Sequence, residues 1–193
     1  YRMIRNACAI LMCSRGTPMF CSGDEFGNTK FGNNNSYCQD NEISWIDWSL
    51  LEKNKDLFEF FKFMIDYRKK HPVIRKKLDN AVCGMEAMHA HDVNAERMEV
   101  PQNAKTLAVS FAGYDRKKGK DDLVYVAVNA YWEEVKITLP NLANHGAWYL
   151  SVDTYGDEKG KYFYQEGEEI RIDREYVMKP RSIVVFTGRE ILR

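Results

Sequence analysis

The sequence predicts an α/β segment followed by an all-β domain: the last β/α unit of a (β/α)8 barrel, then a C-terminal antiparallel β-sandwich. Three observations carry this. A helix pattern, a short apolar run and a second helix pattern follow one another before residue 72. After about Arg75 the composition changes to short β-rich runs separated by charged, glycine-containing turns. Between the two parts of the first segment, Ser22 to Trp48 has dense turn formers and no periodicity, far beyond the usual connection of about 4 to 6 residues.

Residues 2 to 14 place Met3, Ile4, Cys8, Ile10, Leu11 and Met12 at spacings that suit a largely buried helix, closed by Arg15-Gly16. Thr17 to Cys21 is short and apolar, with Pro18 near its start, and is expected to be a strand covered on both faces. Near Ser49 a capping residue can open the next helix, which carries Leu57, Phe60, Phe61, Met64, Ile65 and Arg68 until Pro72 stops it. The runs TLAVSFAGY, LVYVAVNAYW, EEVKITLP, AWYLSVDT, EEIRID and RSIVVFTG read as strands. Residues 1–77 and 78–193 are thus expected as two parts. A strand buried on both faces needs neighbours, and residues 1–77 offer one such strand, so this part reads as the end of a larger β/α repeat.

The chain of 193 residues is 45% hydrophobic, 13% aromatic and 29% charged, a composition that folds into globular structure. Its 28 basic and 28 acidic residues cancel, which gives no broad electrostatic reason for a nucleic-acid or anionic-membrane partner and favours a neutral ligand. No apolar run is long enough to span a bilayer, and YRMIRNACAILMCSRG has not the build of a signal peptide. The opening lies inside a helix pattern without a cap or initiator methionine, so the sequence is expected to be a piece of something longer. Cys8, Cys13, Cys21, Cys38 and Cys83 are odd in number and lack a C-x-x-C pair, pointing to reduced, mostly buried thiols and a cytoplasmic location. His89 and His91 would share one face of a strand, but two ligands are too few for a metal site. No metal or cofactor is expected.

The stretch GTPMFCSGDEFGNTKFGNNNSYCQDNEISWIDW resembles the eighth-strand region of isoamylase-type glycogen debranching enzymes, members of the α-amylase superfamily. There a G-T-P-M run leads into G-D-E, then G-N-N-N, a tyrosine and C-Q-D-N. The similarity extends through RKKHPVIR and, more loosely, into DDLVYVAVNAYWEEVKITLP, WYLSVDT and KPRSIVVF. It departs at Met88-His89-Ala90, where the family tends to show a tryptophan-histidine-glycine turn. The resemblance implies hydrolysis of α-1,6-glucosidic branch links with retention, by an aspartate nucleophile, a glutamate acid/base and a second aspartate. All three would precede Tyr1, so no catalytic residue is expected in this chain, which would be inactive alone. Implied partners are branched α-glucans (glycogen, amylopectin, limit dextrin) and the missing N-terminal barrel. Self-association of the isolated fragment through an unpaired strand edge is a further expectation.

The substrate-binding candidates are Asn33, Asn34, Asn35 and Tyr37, with Asp24 and Glu25 beside them. Amides match sugar hydroxyls as donors and acceptors, and aromatic faces pack on the apolar faces of sugar rings. Gln39, Asp40, Asn41 and Trp45 add similar groups. The competing reading is that the asparagines only serve turns and that Trp45 and Trp48 fill space. Asp24 and Glu25 are adjacent, so on a strand end they face opposite ways; they are expected to hold the loop by salt bridges and backbone hydrogen bonds. Tyr131, Trp132, Tyr149, Tyr155, Tyr162 and Tyr164 are expected in the core or in cross-strand pairs, in preference to a secondary glucan site. Two other readings stand beside the debranching one: a non-catalytic glucan-binding or interaction module, and part of an α-1,4-acting amylase.

Overall fold

A computed structural model describes residues 1–95, 100–143 and 146–189. The helices are α1 (Arg2–Cys13), α2 (Ser49–Lys53), α3 (Lys55–Lys70) and α4 (Pro72–Arg75). The strands are β1 (Met88–His91), β2 (Thr106–Asp115), β3 (Lys120–Asn129), β4 (Val135–Thr138), β5 (Ala147–Asp153), β6 (Ile170–Ile172), β7 (Glu175–Met178) and β8 (Ser182–Arg189). Six strands form an antiparallel sheet in the order β1-β2-β3-β8-β5-β6, and β4 pairs with β7 in a second, two-stranded sheet.

The central strands are apolar at nearly every position because both faces of the sheet are covered. Along β3, Val124 and Val126 point to one side while Leu123, Tyr125 and Ala127 point to the other. The same alternation divides Ile183 and Val185 from Val184 and Phe186 on β8. On the first side lie Cys8, Ala9 and Met12 of α1, Leu57, Phe60 and Met64 of α3, and Val73 and Ile74 of α4. Ile137 of β4 and Met178 of β7 close the second side, with Trp148 and Leu139. Residues before and after position 77 therefore share one core.

The helix α1 turns a different face inward from the one its apolar spacing suggests. Met3 and Ile10 are exposed, whereas Arg5 and Asn6 are buried. Both polar side chains find partners. Asn6 donates through Nδ2 to the Arg181 carbonyl at 2.9 Å and accepts from Thr154 Oγ1 at 2.5 Å, and the same hydroxyl oxygen accepts the Ile183 N–H at 2.8 Å. The Arg5 guanidinium lies 3.5 Å from the centre of the Tyr162 ring. A buried polar group that is fully bonded costs little, so it can occupy the inward face.

Pro72 ends α3 as its missing N–H demands, and it also opens α4. Asp122 on β3 holds this joint, accepting the Val73 N–H at 3.0 Å and meeting His71 Nδ1 at 2.5 Å. The run Thr17 to Cys21 does not form the expected strand. No described strand pairs with it, and Met19 is 86% exposed. A strand needs partners for its N–H and C=O groups, and none of the described strands supplies them here. All five cysteines are free; Cys8 and Cys13 are buried, but Cys21 and Cys38 are exposed because they fall in the unpaired run and the loop. Burial pushes the Cys13 thiol up to about 12. Among the described residues no helix is long and apolar enough to cross a membrane.

Arg68 closes the end of α1. Its guanidinium donates to the carbonyls of Met12, Ser14 and Gly16 at 2.7, 2.7 and 2.6 Å. Met12 is one of the last carbonyls of α1, which a helix terminus leaves without partners, and Ser14 and Gly16 follow in the chain that leaves it. Arg68→Met keeps the stem but removes three bonds, and should lower unfolding free energy by about 2 to 3 kcal/mol in urea titrations. An unchanged midpoint would mean that water replaces the guanidinium at no cost.

Candidate functional site

The loop between residues 17 and 48 stands on a short rigid base. Gly23 and Gly27 both adopt left-handed conformations, with φ of 97° and 76°, and bracket a single 3-10 turn, Asp24–Phe26. A side chain at Gly23 would also collide with Asn28, its Cβ only 2.6 Å from that of Asn28. The turn drives Phe26 inward, where it is 1% exposed and packs on Trp48 with ring centres 5.8 Å apart. Asn54, at the break between α2 and α3 and itself 4% exposed, donates to the Phe26 carbonyl at 2.8 Å. Asn28 Oδ1 accepts the Asp47 N–H at 3.0 Å and so joins the two stems of the loop.

Asp24 and Glu25 belong to this base. Asp24 Oδ2 accepts the Cys21 N–H and Glu25 Oε2 the Gly23 N–H, both at 2.9 Å. Neither forms a salt bridge among the described residues. Each carboxylate is thus tied to local backbone, and the two do not face each other across a gap.

Beyond the base, successive asparagines fold the chain back on itself. Asn33 Oδ1 accepts the Asn35 N–H at 2.9 Å, Asn35 Oδ1 the Tyr37 N–H at 3.2 Å, and Asn41 Oδ1 the Ile43 N–H at 3.0 Å. Ser44 donates to the Ser36 carbonyl at 2.8 Å, and Trp45 Nε1 to Asp40 at 2.9 Å. The turn reading and the ligand reading of these amides are compatible, because each turn uses only the side-chain oxygen. Among the described residues nothing bonds to the amide nitrogens of Asn33 and Asn35, to the Asn34 amide or to the Tyr37 hydroxyl; Asn34, Asn35 and Tyr37 are exposed and Asn33 is half-buried. Tyr37 is 91% exposed, and Phe31, Trp45 and Trp48 also show their rings to solvent. Amide donors beside open aromatic faces can bind hydroxylated rings by combined hydrogen bonding and stacking.

Sequence reasoning missed Phe26, Asn28, Asn54 and Phe31. The bracketing glycines were a usable signal for Phe26. Nothing local could show that Asn28 and Asn54 bond across 19 and 28 residues. The two histidines on β1 do share a face, with ring centres 4.7 Å apart. His91 is engaged with Ser110 Oγ at 2.9 Å and the Ala95 carbonyl at 3.1 Å, and burial lowers its pKa. No group of three or more candidate metal ligands occurs among the described residues. In the β domain Tyr164 is buried, while Trp132 is exposed beside Tyr131, which stacks under Lys105.

Residues 84–187, more than half of the chain, match the family described as "Isoamylase, C-terminal". The chain belongs to the isoamylase family. Isoamylase 3 of Oryza sativa subsp. japonica, a chloroplastic protein, is 34% identical over 154 residues, covering 79% of this chain and 18% of that protein. The glycogen operon protein GlgX homolog of Mycobacterium bovis is 54% identical over 76 residues, covering 39% of this chain and 10% of that one. Among solved structures, a pullulanase of Paenibacillus barengoltzii complexed with maltohexaose and α-cyclodextrin superposes with a TM-score of 0.64. It is 27% identical, and the match covers 96% of this chain and 25% of that one. The chain thus spans between a tenth and a quarter of the length of these isoamylase-family and pullulanase relatives. Its antiparallel β architecture is that of the C-terminal domain of such proteins.

Phe26 is the anchor on which the isoamylase-family loop rests. Phe26→Ala should cost about 3 kcal/mol of stability and raise hydrogen exchange at residues 24–28 and 47 well before the sheet exchanges. Loss of protection spread evenly over the sheet would show that Phe26 belongs to the general core.

Proposed function

We propose that this chain is the C-terminal part of a debranching glycoside hydrolase that cleaves α-1,6 links of glycogen or starch with retention of configuration. In this reading residues 1–77 are the end of a catalytic barrel and 78–193 its C-terminal β domain. The observation that carries it is the loop of the isoamylase-family chain, which exposes unspent amide donors beside open aromatic rings.

Retaining hydrolysis needs two carboxyl groups about 5 to 5.5 Å apart, one to attack carbon and one to protonate the leaving oxygen. Asp24 and Glu25 are unsuited to these roles because their oxygens accept local backbone N–H groups. The isoamylase-family resemblance implies that the nucleophile, the acid/base and the stabilising aspartate lie on other strands of the catalytic barrel. Asn33, Asn34, Asn35 and Tyr37 hold branched glucan at the rim of the cleft. Asp24 and Glu25 contribute by keeping that loop in place and by lying at its edge. The unpaired cysteines support a reducing compartment such as the cytoplasm.

Affinity electrophoresis in gels containing glycogen tests the loop's part. The unmodified chain should be retarded, and Asn33→Ala/Asn34→Ala/Asn35→Ala or Tyr37→Ala should raise the apparent dissociation constant about five- to tenfold, a loss of about 1 to 1.4 kcal/mol. Equal retardation of all forms would remove these residues from the glucan contact.

A further inference from the structure

The overall charge of zero hides a local imbalance. A cleft of about 940 Å³ opens between the end of α3, the segment after α4 and the β2–β3 turn. Eight cationic side chains and two carboxylates line it, a surplus of six positive charges. Its walls are fixed by backbone contacts. The Tyr114 N–H donates to the Asp79 carbonyl at 2.9 Å, and Gly113 lets Leu78 approach so closely that any Cβ there would lie 2.7 Å from the Leu78 Cβ. Lys118 Nζ donates to the Lys70 carbonyl at 2.6 Å and ties the turn to the helix end.

The acids that line the cleft are already engaged, and of the two glutamates whose charge reaches Lys70 from outside it, Glu169 pairs with Arg189 while Glu166 has no ion-pair partner among the described residues. Asp79 pairs with Arg116, Asp66 with Lys70 at 2.9 Å, and Asp115 Oδ1 accepts the Lys117 N–H at 3.0 Å inside the turn. The ammonium groups of Lys69, Lys76, Lys77 and Lys117 have no ion-pair partner among the described residues. A helix C-terminus accounts for lysines on α3 itself, but Lys76, Lys77 and Lys117 arrive from two other segments. Like charges gathered around one concave space repel one another until a counter-anion enters.

We propose that this cleft binds a compact, multiply charged phosphoryl compound. The proposal goes beyond the glucan reading and concerns a different surface. Lysine binds phosphoryl groups as a point charge, and a phosphoryl group offers three acceptor oxygens with nearly two charges. A neutral sugar would gain little from four unpaired ammonium groups, and a single carboxylate would leave most of them uncompensated. The polyphosphate of a nucleotide and the two phosphates of a sugar bisphosphate share the required chemistry.

Isothermal titration of the chain with tripolyphosphate, ADP and glucose 1,6-bisphosphate, each at matched ionic strength, tests this, with citrate as the non-phosphoryl anion. At least one phosphoryl probe should saturate, and binding should weaken tenfold or more in Lys76→Gln/Lys77→Gln/Lys117→Gln. The control Lys53→Gln/Lys55→Gln/Lys159→Gln removes as many charges elsewhere and should bind as the parent does. The stronger of ADP and the bisphosphate names the source of the phosphoryl group. Equal weakening in both variants, citrate binding as tightly, or no saturable heat would each overturn the proposal. Thermal melting without anion checks that both variants fold, and Lys117→Gln alone, on an exposed turn, serves as the reporter if the triple variant does not.

Discussion

Two strands in the middle of the large sheet are buried along their length, and the rest of the molecule is arranged around covering them. From Leu123 to Ala127 on β3 and from Ile183 to Phe186 on β8 every side chain is out of water. At about 25 cal/mol per Å² of apolar surface, leaving either face bare would forfeit several kcal/mol. Helices α1, α3 and α4 cover one face, and the β4–β7 pair covers the other. That demand fixes α3 on the sheet, which fixes Asn54 at its start, and Asn54 in turn holds the base of the long loop. The loop's outer face is free to carry recognition groups because its stability is supplied from below.

Some of this was legible in the sequence and some was not, for physical reasons. Five strands of the large sheet, all but β1, were readable because β-branched and aromatic runs bounded by charged turns have few alternatives. Both long helices were readable from their spacing, although the inward face of α1 was not. Apolar periodicity cannot see that Arg5 and Asn6 will be satisfied by Tyr162, Thr154 and Arg181, more than 140 residues away. Short β7 and the four-residue α4 carry too few residues to show a period. Thr17 to Cys21 has the composition of a strand, but pairing is a property of neighbours and composition cannot supply them.

The loop divides in the same way. Its asparagines could be named as turn formers or as sugar-contacting groups from sequence, and the structure shows the first use: the side-chain oxygens of Asn33 and Asn35 close Asx turns. What sequence could not supply is the support beneath, since Phe26, Asn28 and Asn54 act through contacts that span tens of residues. The basic cleft was equally hidden, because its lysines and arginines come from three separate segments that cancel against acids in any whole-chain sum and only the fold brings them to one place.

The contact between Asn6 and the Arg181 carbonyl joins residues 175 positions apart. Ribosomes add about 5 to 20 residues per second, so roughly 9 to 35 s separate the synthesis of these two partners. During that interval α1 has neither its polar latch nor the β8 surface it packs on. The first helix therefore gains its neighbours in two stages, α3 with its Arg68 clasp early and the β8 surface with its polar latch only at the end of synthesis.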